Sequence, residues 1–140
     1  MSTVETVEVI EPWLFSLLSL DATLEGMVGD RIVGTVADDE LNDPYVVFSL
    51  NSTRDVNGIG SLRVMTDNLY VAKVVGRVQA WEPLLPIARR VTTLLEGATG
   101  STVAGHVLGV RREQVVQYVE VDAGQQWRHV GGLFRVWASA

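Results

Sequence analysis

Residues 69–97 read LYVAKVVGRVQAWEPLLPIARRVTTLLEG. They decide the fold: a strand, a short turn and an amphipathic helix. Side chains along a strand alternate between its faces. Tyr70, Ala72, Val74, Gly76 and Val78 therefore share one side, and Leu69, Val71, Lys73, Val75 and Arg77 share the other. The first set is apolar and is expected to face the core. The second is mixed, and is expected to be half exposed or covered by something else. Pro83 suits the first turn of a helix, where a missing N–H costs nothing. Pro86 is tolerated because the first four helical N–H groups have no intrahelical partner. Leu84, Ile87, Ala88, Val91, Leu94 and Leu95 then recur at spacings of three and four, one stripe of a helix. Gly97 supplies the stop. A helix with one apolar face that follows directly on a strand is expected to fold back onto the sheet. An Asp placed in the stripe, for example at Leu94, is expected to unfold the domain.

Working outward toward the C-terminus, Gly97–Gly105 reads as a flexible connector. His106–Val121 reads as a long strand whose polar middle, Arg111-Arg112-Glu113-Gln114, suggests a bulge or an exposed bend. Asp122-Ala123-Gly124 turns the chain, and Gln126–Ala138 returns as the second strand of a hairpin. Val130, Gly132, Phe134, Val136 and Ala138 share the core side of that strand. Its other side carries Trp127, His129, Gly131, Leu133, Arg135 and Trp137. Two tryptophans and a leucine do not ordinarily face water together. Either another layer of this chain covers them, with the N-terminal helix as the spare cover, or another subunit does. The Gly131-Gly132 pair points to a bulge or a close backbone approach.

Working outward toward the N-terminus, Tyr45–Leu50 (YVVFSL) is a nearly unbroken apolar run, which suggests a strand buried on both faces. Between it and the central strand lies Asn51–Asp67, NSTRDVNGIGSLRVMTD. Asn57-Gly58 is a good turn pair, so the segment is either a long hairpin arm with its tip at Asn57–Gly60 or a mobile loop. Ala37–Pro44 is an acidic loop. Its spacing lacks the alternating oxygen ligands, central glycine and distal glutamate of a calcium loop. Arg31–Val36 reads as a short strand. Val7, Ile10, Leu14, Leu17 and Leu18 fall at helical spacing over 5–20, with Pro12 inside the run as a kink or a later start. Asp21 is placed to cap a further turn over Ala22–Val28, ended by Gly29.

The totals describe one globular domain over 1–140. The chain has 140 residues, 47% of them hydrophobic and 20% charged, enough to build a core and unlike a disordered chain. No apolar run is long enough to span a bilayer. The acidic start (Glu5, Glu8, Glu11) is unlike a signal peptide, so a cytosolic product is expected. With no cysteine, disulfides, thiol catalysis and cysteine zinc sites are excluded together. A net charge of −6 argues against a general nucleic-acid binder. Lys73 is the single lysine beside ten arginines. Either arginine is chosen for bidentate interface contacts or the coding sequence is GC-rich.

No catalytic pattern emerges. His106 and His129 have no partner at metal-ligand spacing and read as surface or interface residues. The serines lie in no nucleophile elbow. Paired carboxylates occur along the sequence only in the acidic loop, where nothing desolvates them. Gly58 and Gly60 do not make a phosphate loop. Arg111-Arg112 reads as a phosphate or carboxylate grip, a solvated patch or an inter-subunit ion pair. Trp13, Trp81, Trp127 and Trp137 do not alternate with basic residues as a single-strand binding surface would.

The order of elements resembles the tail terminator (tail completion) family of long-tailed bacteriophages. The cues are Leu24–Ile32 before the first strand, Pro44-Tyr45-Val46-Val47 after an acidic loop, Ala88–Gly97 closing the helix, and Phe134-Arg135-Val136 near the end. They are small cues, not a sharp motif, spread over nearly the whole chain. The resemblance implies an α+β fold: a mixed, mainly antiparallel sheet with helices packed on one face and a long hairpin arm or loop. It implies a six-membered ring that caps the head-proximal end of the virion tail tube and stops its polymerisation. Partners would be further copies of the chain, the tail-tube protein and head–tail connector proteins. DNA would pass through the bore without specific binding, and no cofactor, metal or membrane is implied. The product would be made in the host cytoplasm. From the pattern, Trp127, Leu133, Arg135, Trp137, Arg111 and Arg112 are the candidate subunit interface. Arg54, Asn57, Gly58, Ile59 and Gly60 are the candidate contact of the arm with a neighbour or the tube. Competing readings are a head–tail connector or tail-tube subunit and, from another class, a monomeric small-ligand-binding module.

Overall fold

The computed structural model of the chain describes residues 5–34, 44–60 and 62–140. The acidic residues Asp38, Asp39, Glu40 and Asp43 lie outside the described residues, as does the end of the Arg31–Val36 strand. In chain order the described elements are α1 (Val7–Ser19), α2 (Ala22–Val28), β1 (Ile32–Gly34), β2 (Tyr45–Asn57), β3 (Arg63–Gly76), α3 (Leu85–Leu95), β4 (Gly100–Thr102), β5 (Gly105–Asp122) and β6 (Gln125–Ser139). The strands form one sheet in the order β1-β2-β3-β6-β5-β4. β1 runs parallel to β2, and every other pair is antiparallel. This is the expected α+β class.

All three helices pack on one face. Ile10, Leu14 and Leu18 of α1, Leu24 and Val28 of α2, and Ile87, Val91 and Leu95 of α3 join Tyr70, Val74, Phe134 and Val136 of the sheet in one core. Each such side chain fully buried stabilises by about 1.5–3 kcal/mol. The alternation read in 69–78 holds: Tyr70, Ala72 and Val74 are all within 1% of fully buried. The N-terminal helix runs through Pro12. Pro12 and Glu8, whose carbonyl loses its donor, are both exposed, so water can satisfy that carbonyl. α3 begins two residues after Pro83, and the Leu84 and Leu85 amides both donate to the Trp81 carbonyl. Leu94 is only half buried, and Leu95, 1% exposed, is the core residue of that turn.

Asp21 ties two helices together. Its carboxylate caps α2 by accepting from the Leu24 amide at 2.9 Å. It also accepts two bonds from Arg90 of α3, Nε at 2.9 Å and Nη2 at 2.6 Å. The Arg90 bonds hold its pKa below the usual carboxylate range, against the opposing effect of burial. A depressed folded pKa stabilises above the unfolded value, and this is lost as pH falls through the folded value. Asp21→Asn keeps the cap, since Asn is as good an N-cap as Asp, but gives up the charge paired with Arg90, so it is expected to be less stable than the wild type at neutral pH. Thermal unfolding from pH 7 into acid should show that gap closing below about pH 4. A gap independent of pH would contradict the ion-pair account.

The C-terminal hairpin is longer than any helix packed against it. Ala123 (φ 51°) and Gly124 (φ 78°) form its two-residue turn, the left-handed pair that matches strand twist. A register shift between Arg112 and Gln114 places a bulge at Glu113, inside the expected stretch. Gly131 and Gly132 are a close approach. They pair with β3 without a shift. A Cβ on Gly131 would overlap the Ala72 carbonyl oxygen and lie 2.5 Å from Lys73 Cα, both backbone atoms that cannot swing aside. Gly131→Ala is expected to cost about 1–3 kcal/mol or more from overpacking, read as a lowered urea midpoint. An unchanged midpoint would mean the strands separate there freely. The supposed connector Gly97–Gly105 contains β4, a three-residue edge strand paired to β5 at Gly100↔Val107.

Candidate functional site: the helix-free sheet face and the arm

Of the covers left open by the sequence, α1 does not serve: it lies on the same face as α3. The opposite face of the sheet therefore carries no helix of the described chain. Register makes that face a set of rows across β2, β3, β6 and β5: Tyr45–Val75–His129–Tyr118, Val47–Lys73–Gly131–Val116, Ser49–Val71–Leu133–Gln114. Further along, Leu69 pairs Arg135 and Asp67 pairs Trp137. Trp127, Leu133, Arg135 and Trp137 are all half buried. Among the described residues, sheet neighbours contribute to that partial cover. Arg111, for example, sets its guanidinium 5.8 Å from the centre of the Trp137 ring.

Arg135 is the hub of this face. It donates to Asp67 at 2.5 Å and to both Glu113 oxygens at 2.6 and 3.1 Å. Asp67 also accepts from Arg54 at 3.1 Å, and Glu113 from Arg111 at 3.4 Å. Five charged side chains thus link β2, β3, β6 and β5. The Arg135 bonds pull the Glu113 pKa down, and both carboxylates together push that of Arg135 up. Two carboxylates far apart in sequence, Asp67 and Glu113, are thus bridged by one guanidinium. Arg111 and Arg112 do not act together. Arg112 pairs Phe134, on the helix side, and its stem lies over Gly132, with Cδ 3.0 Å from where a Cβ would stand.

Of the surface and interface positions expected for His129, the structure gives it a buried place in a row of the helix-free face. It is 7% exposed, stacked on Tyr118 with ring centres 4.4 Å apart, and its Nε2 lies 2.8 Å from Glu120 Oε1. Burial lowers its pKa, the Glu120 bond opposing, so the neutral ring is favoured. Lys73 Nζ donates to the Tyr118 hydroxyl at 2.7 Å. His106 is exposed, with Nδ1 2.8 Å from Ser101 Oγ.

The segment Asn51–Asp67 is the arm, not a loose loop. β2 and β3 pair out to Asn57↔Arg63, beyond the last β3–β6 pair at Thr66↔Ala138. The base of the arm is fastened by side chains. The Thr66 hydroxyl donates to Thr6 Oγ1 at the start of α1, and Asn68 donates to Thr66 Oγ1 and to the Val136 carbonyl. Arg54 ties the arm to Asp67. At the tip, the Gly58 amide donates to the Leu62 carbonyl at 2.7 Å, and Gly60 takes φ 85°. Asn57, Gly58, Ile59 and Gly60 are all exposed, Ile59 completely.

Two hollows stand apart from this face. A polar cleft of about 320 Å³ is lined by Arg77, Val78, Gln79, Gly124, Gln125 and Gln126, and Arg77 donates to Gln125 Oε1 at 2.7 Å. An apolar groove of about 400 Å³ is lined by Trp13, Ser16, Leu17, Leu20, Asp21 and Leu94. Among the described residues no group of three or more His, Cys, Asp or Glu side chains could hold a metal ion. Among them, too, no helix is long and apolar enough to cross a membrane.

No protein-family model and no curated protein sequence matches the chain. Among solved structures, a chain from the virion of a native gene transfer agent particle is similar in fold. It has a TM-score of 0.77 and 18% sequence identity, over 99% of this chain and 100% of that chain. The likeness extends end to end, so the two share an architecture and not only a common sheet.

Proposed function

We propose that the protein is a structural virion component, a tail terminator whose copies form a ring on the head-proximal end of a tail tube. The observation that carries this is the full-length fold likeness to a chain of a gene transfer agent virion. Two features of the chain support it. The first is a helix-free sheet face with half-buried tryptophans and a charged hub. The second is an arm that projects past the sheet with an apolar tip. On this reading the chain has no enzymatic role. Its partners are other copies, the tail-tube protein and connector proteins, and DNA passes the bore unbound. A net charge of −6 suits a bore that must not hold DNA.

The test is functional. Added to polymerising tail-tube subunits, the protein should arrest elongation, leaving tubes capped at one end and shorter as its concentration rises. Incorporation along the tube wall would make it a tube subunit instead. Tubes that grow unaltered and uncapped would contradict the terminator role.

A further inference from the structure

The arm tip and the apolar groove are complementary features at separate places on one chain. The tip offers Ile59, fully exposed, backed by Leu62 at 55% exposure on a paired, two-stranded support. The groove offers Trp13, Leu17, Leu20 and Leu94 between the last turns of α1 and the end of α3, and Leu20 is 82% exposed there. Its one acid, Asp21, is already satisfied by Arg90 and the α2 amide, so an apolar occupant strands no charge. The arm base is bonded to the residues just before α1, Thr66 to Thr6 and Arg63 to Glu5. The groove lies at the other end of α1. Its 13 residues span about 20 Å, so a supported arm does not fold back into the groove of its own chain.

We propose that Ile59 and Leu62 at the arm tip of one copy seat in the Trp13/Leu17/Leu20/Leu94 groove of the next copy. The contact joins two different patches, so it propagates head to tail and closes into a ring when the rotation between copies allows. It rests on the ring reading and names the occupant of a surface that reading leaves open. Among the described residues, the other aliphatic outside the groove that is fully exposed is Val103. It sits in the two-residue turn between β4 and β5 with no extended support, so the arm is the better knob.

The absence of native cysteine makes the test clean. Ile59→Cys and Leu20→Cys variants, both at exposed positions, are mixed and oxidised with copper–phenanthroline. Ile59→Cys mixed with Val103→Cys is the control, and native mass is measured on every sample. Disulfide-linked dimers well above the control are expected, with a ladder up to a covalent ring from the double variant. Ile59→Asp should raise the concentration needed for assembly at least about tenfold. Assemblies by mass without linkage above the control overturn this contact and leave the ring reading standing. Monomers without linkage, in samples with tail tubes as well as without them, overturn both.

Discussion

Replacing Leu95 by Asp is expected to abolish the folded domain. Leu95 is 1% exposed and belongs to the core cluster that joins α3 to the sheet. The substitution removes a buried aliphatic, worth about 2–5 kcal/mol when truncated. It also places a carboxylate among the apolar side chains of that cluster, which adds desolvation cost or a forced protonation. Against a total stability of about 5–15 kcal/mol for a domain this size, little or nothing remains. Circular dichroism of the purified variant should show loss of the native spectrum at 25 °C. Leu94→Asp is the informative companion. The helical stripe alone marks it as equally damaging, but the structure places Leu94 half buried on the rim of the apolar groove. That variant should fold with a lowered melting temperature. Equal collapse of both would mean that the rim is core.

Replacing Trp137 by Glu is expected to leave the monomer folded and to prevent assembly. Trp137 lies on the helix-free face, half buried between its cross-strand neighbours Asp67 and Gly109. Arg111, already stacked over the indole, is placed to pair a new carboxylate. The folded chain should survive the change at a cost of about 2–3 kcal/mol, from the lost half-buried indole and the like charge opposite Asp67, since a domain this size has about 5–15 kcal/mol in hand. An interface that buries the indole would not: it would lose an aromatic anchor and gain a desolvated charge, a loss of several kcal/mol at a buried hot spot. Sedimentation should find a monomer with a native spectrum. An unfolded variant would place Trp137 in the core of its own chain. Assemblies of wild-type strength would remove this face from the interface.

Much of the fold is legible in the sequence because it is written locally. Alternation in 69–78, the α3 stripe, the Asp21 cap with Gly29 at φ 60°, and the Ala123-Gly124 turn each follow from residues a few positions apart. What escapes is set by register between distant strands. Arg135 meets Asp67 and Glu113, 68 and 22 residues away, and no local pattern carries that. His129 is buried because Tyr118 and Val75 flank it across three strands. β4 is three polar or glycine residues and has no periodicity to detect. Arg111 and Arg112 form no joint grip because adjacent strand residues point to opposite faces. Which face α1 would take was open in principle. Its stripe shows that it buries one side, not which sheet face receives it.

The most direct test of the ring account is the native mass of the purified protein across a concentration series, with negative-stain images of the same samples and a parallel series containing tail tubes. The account predicts closed rings of about six subunits, formed alone or on tube ends. A monomer at every concentration, with or without tubes, would contradict it.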